Sequence, residues 1–276
     1  MRKIVGIILL FYILVFQLSF ALEEKFKVKV YSQKAEEGVY YIVADNEAPF
    51  PQQIEVKFNS IENMQPSVKL PFYCEIEAGK KNKALFTMNT IKKGKYGYNM
   101  NYSYFIGSIK INSSENVVKY KFPFKTGEKY MLSQGNYGEF SHTGSSKFAF
   151  DFNMKEGSSV CAARDGIVAE IRDGGTVGKD DEKFIREGNH IVIYHSDGTL
   201  AMYSHLQNGG IKVKLGEYVK AGDIIGLSGN TGYTNGPHLH FVVLKPIKLG
   251  YESIKIEFAG KNRNKIEMSE GEYYGN

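Results

Sequence analysis

The chain has 276 residues, 42% hydrophobic and 24% charged, with a formal net charge of +5. That length accommodates two modest domains with cores of their own, and the composition is that of an ordinary globular protein, which excludes a disordered or fibrous chain. The mild positive balance, without an arginine cluster or aromatic–basic alternation, excludes nucleic acid as a partner.

In chain order, Arg2 and Lys3 precede an apolar run from Ile4 to Phe16, and Ser19-Phe20-Ala21 sets small residues where a leader is cut. Residues 1–21 therefore read as a signal peptide, and the protein is expected to be exported: periplasmic, cell-wall-associated or secreted. The apolar run is short for a membrane span, and no span is expected once the signal is removed. Cys74 and Cys161 each sit in an apolar context and are expected as buried free thiols.

Residues 22–125 alternate apolar and polar side chains in short runs, such as Phe26-Lys27-Val28-Lys29-Val30-Tyr31 and Gln53-Ile54-Glu55-Val56-Lys57-Phe58, separated by turn formers at Asp45-Asn46, Glu77-Ala78-Gly79 and Lys92-Lys93-Gly94. This spacing predicts a β-sandwich, immunoglobulin-like in its strand count, serving as a packing, spacing or binding domain. It holds no histidine; all 6 histidines follow residues 126–141, a turn-rich connection.

Residues 142–250 are again β-rich. Lys147–Phe152, Gly166–Ile171, His190–Tyr194 and Leu200–Tyr203 read as strands, Val219–Gly226 as a tight hairpin, and the polar stretch Gly174–Gly188 as a surface loop at the rim of a groove. No helical period is long enough for a βαβ unit, so the whole chain is expected to be all-β. Residues 251–276 give one more strand and a polar tail.

Pro237-His238-Leu239-His240-Phe241 holds two histidines around one leucine and leads into Val242-Val243-Leu244, a buried-strand pattern. Residues two apart on a strand share a face, so both imidazoles reach the same space while Leu239 and Phe241 face apolar packing. Such a pair suits a metal site or an acid–base site, and equally a solvated strand face. Three further positions bear on the choice. Asp151 is the single acid in Phe148-Ala149-Phe150-Asp151-Phe152, and a carboxylate among phenylalanines must be paired or coordinated. His142 precedes that run, and His205 ends Leu200-Ala201-Met202-Tyr203-Ser204. His195 is read as a structural strand-end histidine and His190 as an exposed one. No Gly-x-Ser-x-Gly elbow is present, which argues against a serine hydrolase.

Taken together, Ser141-His142, Ala149-Phe150-Asp151-Phe152, Glu156 to Val168, Ile193 to Gly198, Tyr203-Ser204-His205-Leu206, Val219 to Asp223, Gly229-Asn230-Thr231-Gly232 and Pro237 to Phe241 agree in order and separation with one family. Residues 134–245 resemble the lysostaphin/LytM-type zinc metallopeptidases, which cut peptide bonds in bacterial peptidoglycan. The resemblance implies an antiparallel β peptidase domain in which His142, Asp151 and His240 bind Zn2+ and His205 and His238 are the catalytic imidazoles around the metal's water. It implies peptide stems or cross-bridges of peptidoglycan as substrate, and it leaves room for a regulatory protein partner. One departure stands out: many members separate the first histidine and the aspartate by three residues, whereas here Thr143 to Phe150 intervene. A non-catalytic wall factor that binds wall or activates another hydrolase is the competing reading, and the intact set of five side chains speaks against it.

Overall fold

The computed structural model describes residues 26–110, 118–138, 141–259 and 266–276; the expected signal peptide lies outside the described residues. Among these, no helix is long and apolar enough to cross a membrane. The fold is almost wholly β, as the alternating pattern predicts, and it divides into two compact units: Glu24–Ser108 with Lys248–Gly250, and Ile109–Ile247 with Tyr251–Asn276.

The first unit contains β1 (Lys29–Glu36), β2 (Val39–Asp45), β3 (Gln52–Glu62), β4 (Met64–Pro66), β5 (Phe72–Ile76), β6 (Lys83–Thr90) and β7 (Gly97–Ile106). They form two antiparallel sheets, ordered β1-β2-β6-β4 and β5-β3-β7. The inward positions of both sheets, Ile42 and Ala44, Ile54 and Val56, Ile76, Phe86 and Met88, make one apolar cluster. Period-two alternation is what allows each strand to feed that cluster from one face only.

The second unit contains β8 (Lys119–Tyr120), β9 (Tyr130–Gln134), β10 (Phe150–Asn153), β11 (Ser159–Cys161), β12 (Gly166–Arg172), β13 (Gly178–Lys179), β14 (Asn189–Tyr194), β15 (Leu200–Leu206), β16 (Tyr218–Val219), β17 (Ile224–Leu227), β18 (Gly232–Tyr233), β19 (Leu239–Ile247), β20 (Gly250–Ser253), β21 (Glu257–Phe258) and β22 (Tyr273–Tyr274). Its main sheet runs β16-β12-β14-β15-β19-β10-β9-β22, with β20 added to β19. Phe150 and Phe152, Ile191 and Ile193, Ala201 and Tyr203, and Phe241 and Val243 fill the core beneath it, together with Tyr120, Phe122, Phe124 and Phe258. Burying each phenylalanine is worth about 1.5–3 kcal/mol. The alternate residues of the same strands, Asp151, His190, Ser204 and His240, are thereby turned to the other face.

Three local features differ from the sequence expectations. The strand expected over Lys147–Phe152 begins only at Phe150, because Gly144–Ser146 is a 3-10 turn closed by the Ser146 N–H on Thr143 O. The Val219–Gly226 hairpin does not form as a pair. Its turn is present, with Asp223 N–H bonded to Lys220 O and Lys220 N–H to Asp223 Oδ2, yet β16 pairs with β12 and β17 with β11. The stretch Gly174–Gly188 carries structure of its own: β13 pairs in parallel with β18, and Glu182–Glu187 is a 3-10 helix capped by Asp181, whose side chain accepts the Lys183 N–H. Cys74 and Cys161 are both free, and burial pushes each thiol up to about 11.

Candidate metal centre

Strands β10, β19 and β15 lie side by side, and their register places the chemistry. Asp151 is directly opposite His240, and His240 is directly opposite Ser204. Paired residues in antiparallel strands hold their Cβ atoms about 5 Å apart, so Asp151 and His240 meet because the core fixes the register of their phenylalanine neighbours. The Asp151 Oδ1 lies 2.8 Å from His240 Nδ1, and its Oδ2 lies 3.1 Å from His142 Nε2. One ligand atom from each of His142, Asp151 and His240 falls within 4.8 Å of the others, and all three residues are buried. His142 reaches this point from the segment between β9 and β10, its backbone N–H bonded to Gly138 O.

His238 sits one residue before β19 and pairs with Gly229 in an isolated bridge, so the alternation of the strand extends to it. Its Nε2 lies 3.8 Å from Asp151 Oδ1. The His205 ring is tilted against it, with centroids 4.6 Å apart, and lies 5.9 Å from the ring of His240. The five side chains singled out in the sequence thus come together on one face of one sheet.

How His205 joins them was not legible in alternation. Tyr203 faces the core and Ser204 the other side, so His205 should return to the core. Instead, β14 advances one residue, from His190 to Asn189, while β15 advances two, from Ser204 to Leu206. His205 is the extra residue of a β-bulge, and its φ of 62° is in the left-handed region. The bulge leaves Ser204 and His205 on the site face and returns Leu206 to the core.

Backbone carbonyls fix the proton positions on three rings. His142 Nδ1 faces Gly135 O, His205 Nδ1 faces Thr231 O at 2.7 Å, and His238 Nδ1 faces Gly236 O at 2.9 Å. A carbonyl only accepts, so each Nδ1 carries the hydrogen and each Nε2 keeps its lone pair for the site. Burial, helped by His238 and His240, pushes His205 down to about 3, and burial also lowers His238 against the attraction of Asp151. Both rings are therefore neutral bases at pH 7. For Asp151, burial pushes its carboxyl up, but the imidazoles of His240, His142 and His238 gathered around it outweigh burial and hold it well below the usual carboxylate range.

The remaining histidines are separate. His195 is buried, donates from Nδ1 to Asp165 O at 2.8 Å, and is pushed by burial down to about 4. His190, expected exposed, is half-buried: its Nε2 lies 3.0 Å from Oε1 of the buried Glu170 on the neighbouring strand. Cross-strand pairing is what makes the burial of Glu170 tolerable.

Residues 145–253 match Peptidase family M23; His142 lies just upstream of the match. Over 94 residues the chain is 38% identical to the peptidoglycan DD-endopeptidase ShyA of Vibrio cholerae, covering 34% of this chain and 19% of that protein. Over 99 residues it is 39% identical to lysostaphin of Staphylococcus simulans, covering 36% and 18%. Over 127 residues it is 35% identical to an uncharacterized metalloprotease of Buchnera aphidicola, covering 45% and 30%. The solved catalytic domain of lysostaphin from Staphylococcus simulans is 28% identical, covering 46% of this chain and 87% of that one, with a TM-score of 0.32. The matched part of the chain spans less than a third of each of these three curated relatives. The match lies across the strands that carry Asp151, His205 and His240, and through it the second unit of this chain is similar to the lysostaphin/LytM-type peptidases of family M23.

Proposed function

We propose that this protein is an exported, zinc-dependent endopeptidase that hydrolyses peptide bonds in bacterial peptidoglycan cross-links. The observation that carries the reading is the trio of buried donors from His142, Asp151 and His240, whose ligand atoms lie within 4.8 Å of one another. The donors fit a divalent ion. His142 Nε2 is buried without a hydrogen-bond partner although a carboxylate oxygen lies 3.1 Å away. With its hydrogen on Nδ1, the ring aims a lone pair at that oxygen, and two acceptors in contact repel unless a cation lies between them. Two imidazole nitrogens and one carboxylate oxygen are the ligand types of a catalytic zinc site with one position left open.

When bound, zinc would supply Lewis acidity, polarising a peptide carbonyl and lowering the pKa of a water from about 16 to about 7. The chain's own residues do the rest. His142, Asp151 and His240 hold the ion. His205 and His238 present neutral Nε2 atoms that accept the proton of the attacking water and return it to the leaving amine. As imidazolium, the same rings stabilise the negative charge that develops on the carbonyl oxygen. The peptide stems or cross-bridges of peptidoglycan are the substrate, consistent with the peptidoglycan DD-endopeptidase among the relatives. The first unit serves as a spacing or binding domain.

The test is zymography on purified cell walls with metal analysis of the same samples. His240→Ala is expected to lose both zinc and hydrolysis. His205→Ala is expected to keep zinc and lose about 10²–10⁴-fold in rate, the usual contribution of a positioned acid–base group. Full hydrolysis by either variant, or by wild type in chelator, would overturn the assignment. A chain that binds wall and zinc but never cleaves would instead be a wall factor.

A further inference from the structure

Asn189 and Thr231 lie outside the five-residue cluster, and their hydrogen bonds converge on the bulge that presents His205. Asn189 is fully buried at the start of β14, opposite Leu206. Its Nδ2 donates to Gly175 O at 2.8 Å and Leu206 O at 3.2 Å, and its Oδ1 accepts the Gly175 N–H at 2.8 Å. Its backbone N–H donates to Thr231 Oγ1 at 3.0 Å. The Thr231 hydroxyl in turn donates to Leu206 O at 2.8 Å, and the Thr231 carbonyl accepts the His205 Nδ1–H at 2.7 Å.

The consequence is a closed loop of bonds: His205 ring to Thr231 carbonyl, Thr231 hydroxyl to Leu206 carbonyl, and Leu206 back along the chain to His205. Asn189 closes it a second time from the neighbouring strand. A residue with side chain at φ 62° occupies a sparsely populated region and persists only where its surroundings over-determine it. These bonds supply that over-determination. They also reach the segment between β12 and β14, because Gly175 has no room for a side chain: a Cβ there would lie 1.8 Å from Glu187 O and 2.9 Å from Asn189 Oδ1.

We infer that Asn189 and Thr231 are positioning residues for His205, locking both the bulge and the Nδ1–H tautomer so that Nε2 faces the site, and tying that lock to the segment beginning at Gly175. The inference takes the catalytic role of His205 from the proposed function, but the lock itself does not depend on that role.

The experiment therefore has two readouts. In metal-free protein labelled with ¹⁵N-histidine, long-range ¹H–¹⁵N spectra report the His205 tautomer; with zinc restored, wall-peptide hydrolysis is split into kcat and KM. Thr231→Ser keeps the hydroxyl and is expected to retain the Nδ1–H tautomer and a kcat within about threefold of wild type. Thr231→Val removes both hydroxyl bonds at nearly constant volume. It is expected to give a mixed tautomer signal and a kcat lower by about tenfold or more, with KM and zinc stoichiometry held, since misorienting a base costs rate rather than binding. Asn189→Asp, which loses the two Nδ2 donations, is expected to move the tautomer signal in the same direction and decides the matter if the valine variant does not fold. An unaltered Nδ1–H tautomer in both Thr231→Val and Asn189→Asp would overturn the inference. An inactive wild type whose His205 tautomer is locked, and unlocked by Thr231→Val, would refute the hydrolase reading while supporting the lock.

Discussion

Replacing Asp151 with Asn should separate the shape of the metal centre from its charge. Asn has the size of Asp, and its amide still offers one donor and one acceptor to the rings of His142 and His240, which lie 3.1 and 2.8 Å from the present oxygens. What is lost is the negative charge and one good oxygen ligand. Losing a partner of a ligand commonly costs about 10–100-fold in affinity, so losing the ligand itself should cost at least about 100-fold. With metal at about 1,000 times the wild-type Kd, binding adds about 4 kcal/mol to stability; at 100-fold weaker affinity, the same concentration adds about 1.4 kcal/mol. For a unit of this size each kcal/mol moves Tm by roughly 2–4 °C. The metal-induced rise in Tm should thus fall from about 12 °C to about 4 °C, with a folded metal-free protein in both cases. Differential scanning calorimetry with and without chelator measures it. An unchanged metal-induced rise in Asp151→Asn would mean that the carboxylate is not a ligand.

Three further outcomes are expected. His195 is held neutral by burial at about 4 against 6.5 in the open chain, so the unfolded state binds a proton that the folded state refuses; its contribution is complete above pH 6.5 and is lost, on the order of 3 kcal/mol, as pH falls toward 4. His195→Asn, which can keep the bond to Asp165 O, should flatten urea-measured stability over that window, and an identical pH slope in the variant would contradict the assignment. Tyr203→Phe removes the hydroxyl that accepts the Ala163 N–H at 2.8 Å in the core; leaving that donor unpaired should cost about 1–3 kcal/mol in urea denaturation, with cleavage retained at low temperature. Alkylation of Cys74 by iodoacetamide should rise about tenfold per pH unit from pH 8 to 10, because burial pushes its thiol up to about 11; a plateau near pH 8.5 in mass-spectrometric labelling would be the contrary result.

The sequence made the site legible wherever one strand was enough to read it. The Phe150-Asp151-Phe152 run specifies two core faces and one acid between them, and the fold buries both rings in the core while Asp151 meets His240. Pro237 to Phe241 likewise reads as a strand entry with both imidazoles on one side, and the bridge between His238 and Gly229 carries that alternation to the first of them. What stayed hidden depends on which strands pair. Nothing in Val219–Gly226 says that its two arms go to different sheets. Nothing in Leu200–Leu206 says that one residue will bulge, since the extra residue exists only relative to β14. His190 looked exposed for the same reason: its partner Glu170 lies on another strand, 20 positions away.

The hydrogen positions in this centre are set by main-chain oxygens rather than by a second ring of carboxylates. His142, His205 and His238 each give Nδ1–H to a carbonyl, from Gly135, Thr231 and Gly236. A carbonyl has no side chain to lose, so exchanging side chains at 135, 231 or 236 alters a tautomer only by moving the turn that carries the oxygen. Gly135 and Gly236 have no side chain of their own, but neighbours hold their turns: Glu270 Oε1 accepts the Gly135 N–H at 2.8 Å, and the Thr234 hydroxyl donates to Gly236 O at 2.7 Å. At Thr231 the residue's own hydroxyl holds the turn, donating to Leu206 O and accepting from Asn189. The orientation of each imidazole therefore rests on a side chain one step removed, Glu270 for His142, Thr231 for His205 and Thr234 for His238. Among them, His205 is the one that the sheet must also force into an unfavourable backbone conformation to present, so there a side-chain dependence and a backbone cost fall on the same residue.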